Sequence, residues 1–301
     1  MLRFSYSEHA EQFAAAYDWL IGLGVSVNST RAAEYRALLA AIAEYYEAGK
    51  IDALVEKHGY PRLFNAMVEA HEFIHIHTGL SGRSETEMLS RLREFVRGTV
   101  LLTDESPQRN QNRSRNIGFE LSVAAAAARS AVLITFDAPG DLCLLPNSES
   151  LAVECKRPFT ARKIEARVSE GIEQLRQRYE GTANARDARG ILALSITKTE
   201  NDGSKHLMGP DEASIRAQID GIFLQFISQY RRHWESRVDG RTLADLLELC
   251  APCRIATPSI LAVAREYAWV PLCEPGSENR RRLERVALAF NKLKTPVTPA
   301  G

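Results

Sequence analysis

The chain lacks an apolar run long enough to cross a bilayer. Its N-terminus also lacks the basic segment leading into an apolar stretch that marks a secretory leader. A membrane-spanning or exported protein is therefore not expected, and a cytoplasmic one is. Net charge is absent too: 38 Lys and Arg balance 38 Asp and Glu, so global charge announces no nucleic-acid binder. The five cysteines are odd in number and keep no framework spacing, which fits a reducing compartment. What remains is ordinary for a soluble globular protein. At 45% hydrophobic and 25% charged, its 301 residues can form one large domain or two modest ones.

The chemistry-bearing residues concentrate in 116–197. Hydrophobic period reads this stretch as helix, strand, turn, strand, helix, strand. Side chains alternate along a strand, so in Leu151-Ala-Val-Glu-Cys-Lys156 a carboxylate (Glu154) and an ammonium (Lys156) share one face. Burying either alone is expensive. The preceding strand runs Asp141-Leu-Cys-Leu-Leu145, and Pro146-Asn147-Ser148-Glu149 reads as a four-residue hairpin loop. That loop sets 145 opposite 150, 144 opposite 151 and 141 opposite 154. Asp141 and Glu154 then form a like-charge cross-strand pair, tolerable mainly with a cation between them. Two carboxylates plus the Cys155 carbonyl suit Mg²⁺ or Mn²⁺. Leu142, Leu144, Leu151 and Val153, on the other face, read as core.

Asp141 followed by Glu154-Cys155-Lys156, with Glu120 on a preceding helix, resembles the PD-(D/E)xK nuclease superfamily. The resemblance covers about 116–197. It implies a restriction-endonuclease-like α/β core, a mixed sheet flanked by helices. It also implies metal binding by Glu120, Asp141, Glu154 and the Cys155 carbonyl, with Lys156 orienting or activating the attacking water. Gln174, on the helix after the third strand, matches a polar position often seen beside such sites. One departure is that Gly140, not a proline, precedes Asp141, while Pro139 stands one residue further back. Asp137 is accordingly a rival for the aspartate role. An E-x-K triplet by itself usually marks a solvated strand edge, and it is the ordered set that points to chemistry. The implied activity is Mg²⁺- or Mn²⁺-dependent hydrolysis of phosphodiester bonds, in DNA rather than RNA, with defence against foreign DNA or repair as context. Two alternatives stand beside it: a nucleic-acid-binding or regulatory protein that keeps the fold without turnover, and a zinc protease.

The protease alternative comes from the flank. Residues 1–98 read as an all-helical region, a candidate surface for a homo-oligomer or a regulatory protein. Within it, His71-Glu72-Phe73-Ile74-His75 is H-E-x-x-H, two histidines on one helical face with a candidate base, and Glu94 is a candidate third ligand. Against that reading, no sheet precedes the helix. Residues 99–115 read as a linker ending in the basic run Gln108–Arg115, either solvated or contacting phosphates, and Arg157, Arg162 and Lys163 extend the same argument. The nuclease-like domain is placed at 116–301.

Further along, 161–179 reads as an amphipathic helix with Ile164, Val168, Ile172, Leu175 and Tyr179 inward. Residues 199–210 read as a loop, 211–234 and 241–250 as helices, 254–259 as a short strand and 278–294 as a final helix. The arginines 280, 281, 282 and 285 on that last helix read as a solvated face in preference to a second basic patch. Cys250 and Cys253 form a lone C-x-x-C, read as reduced thiols rather than a zinc site.

Overall fold

In the computed structural model, which describes residues 5–106, 112–136, 141–146, 150–180, 187–201, 206–236, 239–256 and 260–291, the chain is α/β. It divides into two units. One comprises Met1–Ala125, Asn201–Pro210 and Ala251–Ala264, and the other Ala126–Glu200, Asp211–Cys250 and Arg265–Gly301.

The first unit begins with α1 (Tyr6–Gly22), capped by Ser5, whose hydroxyl accepts from the Glu8 amide while Glu8 bonds back to the Ser5 amide. α2 (Arg31–Glu47), α3 (Ile51–His58), α4 (Tyr60–Leu80) and α5 (Thr86–Phe95) follow, as helical spacing over 1–98 predicts, and then α6 (Arg113–Arg129), which begins within the expected linker and ends in the second unit. Tyr35, Leu38, Leu39 and Ile42 of α2 are buried at that spacing, and Phe13 meets Phe73 edge-on at 5.4 Å. α4 and α6 approach closely through small residues: a Cβ at Gly79 would stand 2.6 Å from the Ala125 backbone.

Two arginines lie in this core. Arg31 is 1% exposed, bonds Glu69 at 2.6 Å and donates to the Phe95 carbonyl. Arg115 is 3% exposed and reaches the same Glu69 at 2.9 Å, the Thr99 and Val100 carbonyls, and Glu105 at 3.7 Å. Arg115 is thus neither a solvated linker residue nor a phosphate contact. Gln108–Gln111 of the same basic run lie outside the described residues, and Arg113 pairs with Glu94.

The second unit holds most of the sheet: β1 (Leu133–Thr135), β2 (Leu142–Leu145), β3 (Leu151–Lys156), β4 (Arg189–Ser195) and the first part of β6 (Thr242–Ile255). β1, β2 and β3 are antiparallel, and β3, β4 and β6 are parallel. The described strands form a seven-stranded mixed sheet ordered β1-β2-β3-β4-β6-β5, with β7 (Ile260–Pro271) paired to β6 and β5 (Leu207–Gly209) parallel to Cys253–Ile255. α7 (Ile164–Glu180) connects β3 to β4, α8 (Thr197–Glu200) follows β4, α9 (Glu212–Glu235) precedes β6, and α10 (Glu278–Asn291) ends the described chain.

α7 buries Ile164, Val168, Ile172, Leu175 and Tyr179, the predicted stripe, together with Gly171. A Cβ on Gly171 would stand 2.4 Å from Leu192 Cδ1 and 3.3 Å from Lys156 Cγ, so the helix lies hard against the strand face that carries Lys156. Of the α10 arginines, Arg281 and Arg285 are exposed, while Arg280 and Arg282 are half-buried and pair with Glu284 and Glu278, one turn away in each case.

Three stretches depart from the expected pattern. Residues 241–250 belong to β6 and are not a helix, and the expected strand at 254–259 is in part the end of β6. Leu243, Leu246, Leu247 and Leu249 recur at helical spacing, but Thr242–Ala251 is buried on both faces of the sheet, where no apolar-polar alternation is required. Residues 199–210, read as loop, include the end of α8 and β5.

Candidate active site

The hairpin register is the expected one. Leu142 pairs with Val153, Cys143 with Ala152 and Leu144 with Leu151, which carries Asp141 to the position opposite Glu154. Asp141 Oδ2 accepts the Cys155 amide at 2.6 Å, extending the ladder by a side chain where the β2 backbone ends. Asp137, Pro139, Gly140 and the loop residues Asn147–Glu149 lie outside the described residues.

Glu154 is 1% exposed, and a cation faces each of its oxygens. Lys156 Nζ donates to Oε1 at 2.5 Å, and Arg178 Nη1 forms an ion pair with Oε2. Lys156 lies 3.7 Å from Glu170, which also pairs with Arg167. Burial pushes the Glu154 carboxyl above its ordinary proton affinity and the Asp141 charge adds to this, while Lys156 and Arg178 pull it back. A hard cation relieves that kind of repulsion; here Asp141 and Glu154 supply two carboxylates of the right chemistry, with Arg178 already on Glu154 Oε2.

Gln174 is on α7 as expected. Its Oε1 is buried, with no hydrogen-bond partner among the described residues. Glu170, Gln174 and Arg178 succeed one another at intervals of four on this helix, so they form one polar stripe beside the apolar one. That interval was the signal for Arg178, which the family pattern does not supply.

Glu120 lies in the first unit, on α6, where its carboxylate pairs with Arg91 Nε at 3.2 Å. Asp141, Glu154, Lys156, Gln174 and Arg178 all belong to the second unit. Among the described residues no three His, Cys, Asp or Glu side chains gather as a ready metal site. Beyond the C-terminal ends of β3 and β4, Arg162 and Lys163 are exposed, and Lys198 sits 4.1 Å over the Phe159 ring.

β6 carries a second buried carboxyl, Asp245. Glu154 pairs with Leu192 and Leu192 with Asp245, so three neighbouring strands put these residues in one row on one face. Asp245 is wholly buried, neither oxygen has a hydrogen-bond partner among the described residues, and burial raises its proton affinity well above the ordinary value. On the same strand Glu248 is buried but satisfied, by Ser195 at 2.7 Å, Thr197 at 3.3 Å and Arg265 at 2.5 Å.

The H-E-x-x-H residues lie on α4 in the first unit, with His71 and His75 buried. His75 Nε2 lies 3.1 Å from the Ser122 carbonyl, so that nitrogen carries the proton and cannot ligate a metal there. Glu72 accepts from Ser122 Oγ, and Glu94 is paired with Arg97 and Arg113. His71 lines a mainly apolar pocket with His9, Phe64, Met67, Pro252 and Val263, where burial depresses His9 to a pKa of about 4. Cys250 and Cys253 are buried thiols within β6. No helix among the described residues is long and apolar enough to cross a membrane.

Compared with family models, with curated proteins and with solved structures, the chain matches none.

Proposed function

We infer that the second unit is a metal-dependent nuclease that hydrolyses phosphodiester bonds, in DNA rather than RNA, and that its core is of the restriction-endonuclease type. The observation that carries this reading is the Asp141–Glu154 pairing across β2 and β3, with Lys156 on the Glu154 carboxylate. The order α6, three antiparallel strands, α7 and a parallel β4 supports the fold assignment.

Asp141, Glu154 and the Cys155 carbonyl would hold Mg²⁺ or Mn²⁺. When bound, such an ion neutralises charge on the phosphorane and lowers the pKa of a water. Lys156, held against α7 at Gly171, would be the cation placed to orient the attacking water beside Glu154. Arg162, Lys163 and the Lys198–Phe159 pair offer phosphate contacts and an aromatic face to a strand crossing the rim. Glu120 is not needed in this scheme.

The full pairing of Glu154 is also what a non-catalytic relative would show. Incubation of supercoiled, linear and single-stranded DNA with Mg²⁺ or Mn²⁺, beside Lys156→Ala and Asp141→Asn, separates the two readings. The nuclease reading expects metal-dependent cleavage that falls by about 100-fold or more in either variant. Equal cleavage by Lys156→Ala removes the lysine from the mechanism, and absence of cleavage on every substrate leaves the binding protein.

A further inference from the structure

The charge count at Glu154 is already closed without a metal. Asp141, Glu154 and Glu170 contribute three negative charges, and Lys156, Arg178 and the Arg167 that pairs with Glu170 three positive ones. Adding a divalent ion with Lys156 and Arg178 both in place would leave two surplus positive charges around a carboxylate that is 1% exposed. One cation has to leave, and the two are not held alike.

Lys156 is on the same strand as Glu154 and donates to Oε1 with hydrogen-bond alignment. Arg178 approaches from α7, and although its Nη1 touches Oε2, neither atom has hydrogen-bond geometry with any described residue. Misaligned contacts yield before aligned ones. One turn back on the same helix, Gln174 Oε1 is a buried acceptor with no described partner. Residues four apart on a helix are neighbours, so a guanidinium that leaves Glu154 can donate to Gln174 without crossing open solvent.

Resting on the nuclease reading above, we propose that Arg178 is a built-in competitor of the metal: it holds Glu154 Oε2 in the metal-free protein and moves to Gln174 Oε1 when a divalent cation binds. Arg178 is thus a positioning residue that sets metal affinity. It keeps the buried carboxylate paired whenever no metal is bound, so the protein folds without one.

The test is calorimetric titration of the full chain with Mn²⁺, a readout independent of cleavage. Arg178→Gln should bind Mn²⁺ about tenfold or more tightly than the wild type, because an ion-pair contact no longer has to be broken. Arg178→Lys, which keeps the charge, should bind about as the wild type does. Gln174→Leu, which removes the acceptor for the displaced arginine, should bind more weakly than the wild type. If Arg178→Gln does not fold, Gln174→Leu decides, and unchanged affinity there overturns the proposal. Equal or weaker binding by a folded Arg178→Gln also overturns it and leaves the nuclease reading to the cleavage assay. Absence of Mn²⁺ binding by every protein removes both.

Discussion

Asp245→Asn isolates the consequence of burying a carboxyl without partners. The two side chains have nearly the same shape, so packing against Leu192 and its neighbours is retained, and the difference between them is ionisation. In the folded chain burial holds the Asp245 carboxyl protonated well above its ordinary value of 3.8. Between those two values the folded state binds a proton that the unfolded state has released, so wild-type stability falls as pH rises through that window. Below the ordinary value both states are protonated and the penalty vanishes. Asp245→Asn carries no such term. It should match the wild type near pH 3.5 and then gain on it by about 1.4 kcal/mol for each pH unit, until the folded carboxyl itself ionises. With a urea slope of about 3 kcal/mol/M, the unfolding midpoints should separate by roughly 0.5 M per pH unit. Contributions from every other titrating group cancel in the difference, so urea titrations of both proteins at pH 4, 5, 6 and 7 suffice. Parallel pH profiles would show that Asp245 is solvated or paired, and would refute the reasoning.

His9 gives the opposite sign on the acid side. Its folded pKa of about 4 lies below its ordinary 6.5, so stability falls as pH drops through that interval, and His9→Phe should flatten the acid limb of a Tm-against-pH curve. Gly171→Ala should cost about 1–3 kcal/mol in chemical denaturation, since its Cβ would meet Leu192 at 2.4 Å, and it should also lower cleavage by shifting Lys156. Glu69→Ala leaves Arg31 and Arg115 without their shared carboxylate, and a loss of about 3–5 kcal/mol by thermal or urea unfolding is expected.

Much of this architecture is written in local pattern. The α7 stripe, the helices of the first unit and the register from Asp141 to Glu154 follow from spacing alone, because each of these elements has one wet and one dry side or a loop of fixed length. β6 is illegible for the opposite reason. With both faces covered, its leucines need no alternation, and Asp245 and Glu248 look like the polar side of a helix although both are buried. Arg115 misleads in the same way: a basic residue beside a polar run reads as solvated, and only Glu69, 46 positions earlier, explains its burial. Arg178 lies between these cases. Its spacing from Gln174 was visible, but its hold on Glu154 depends on how α7 packs against β3, and no one-dimensional pattern encodes that.

The four charges on Arg31 of α2, Glu69 of α4, Arg115 of α6 and Glu105 of the segment before α6 sum to zero, and each is buried. Such a quartet constrains how the chain can drift. Neutralising one member strands its opposite, whereas losing one of each sign together restores balance. Arg31→Met in a Glu69→Gln background should thus recover stability that either substitution alone forfeits, and inheritance should favour their joint loss over a stepwise one.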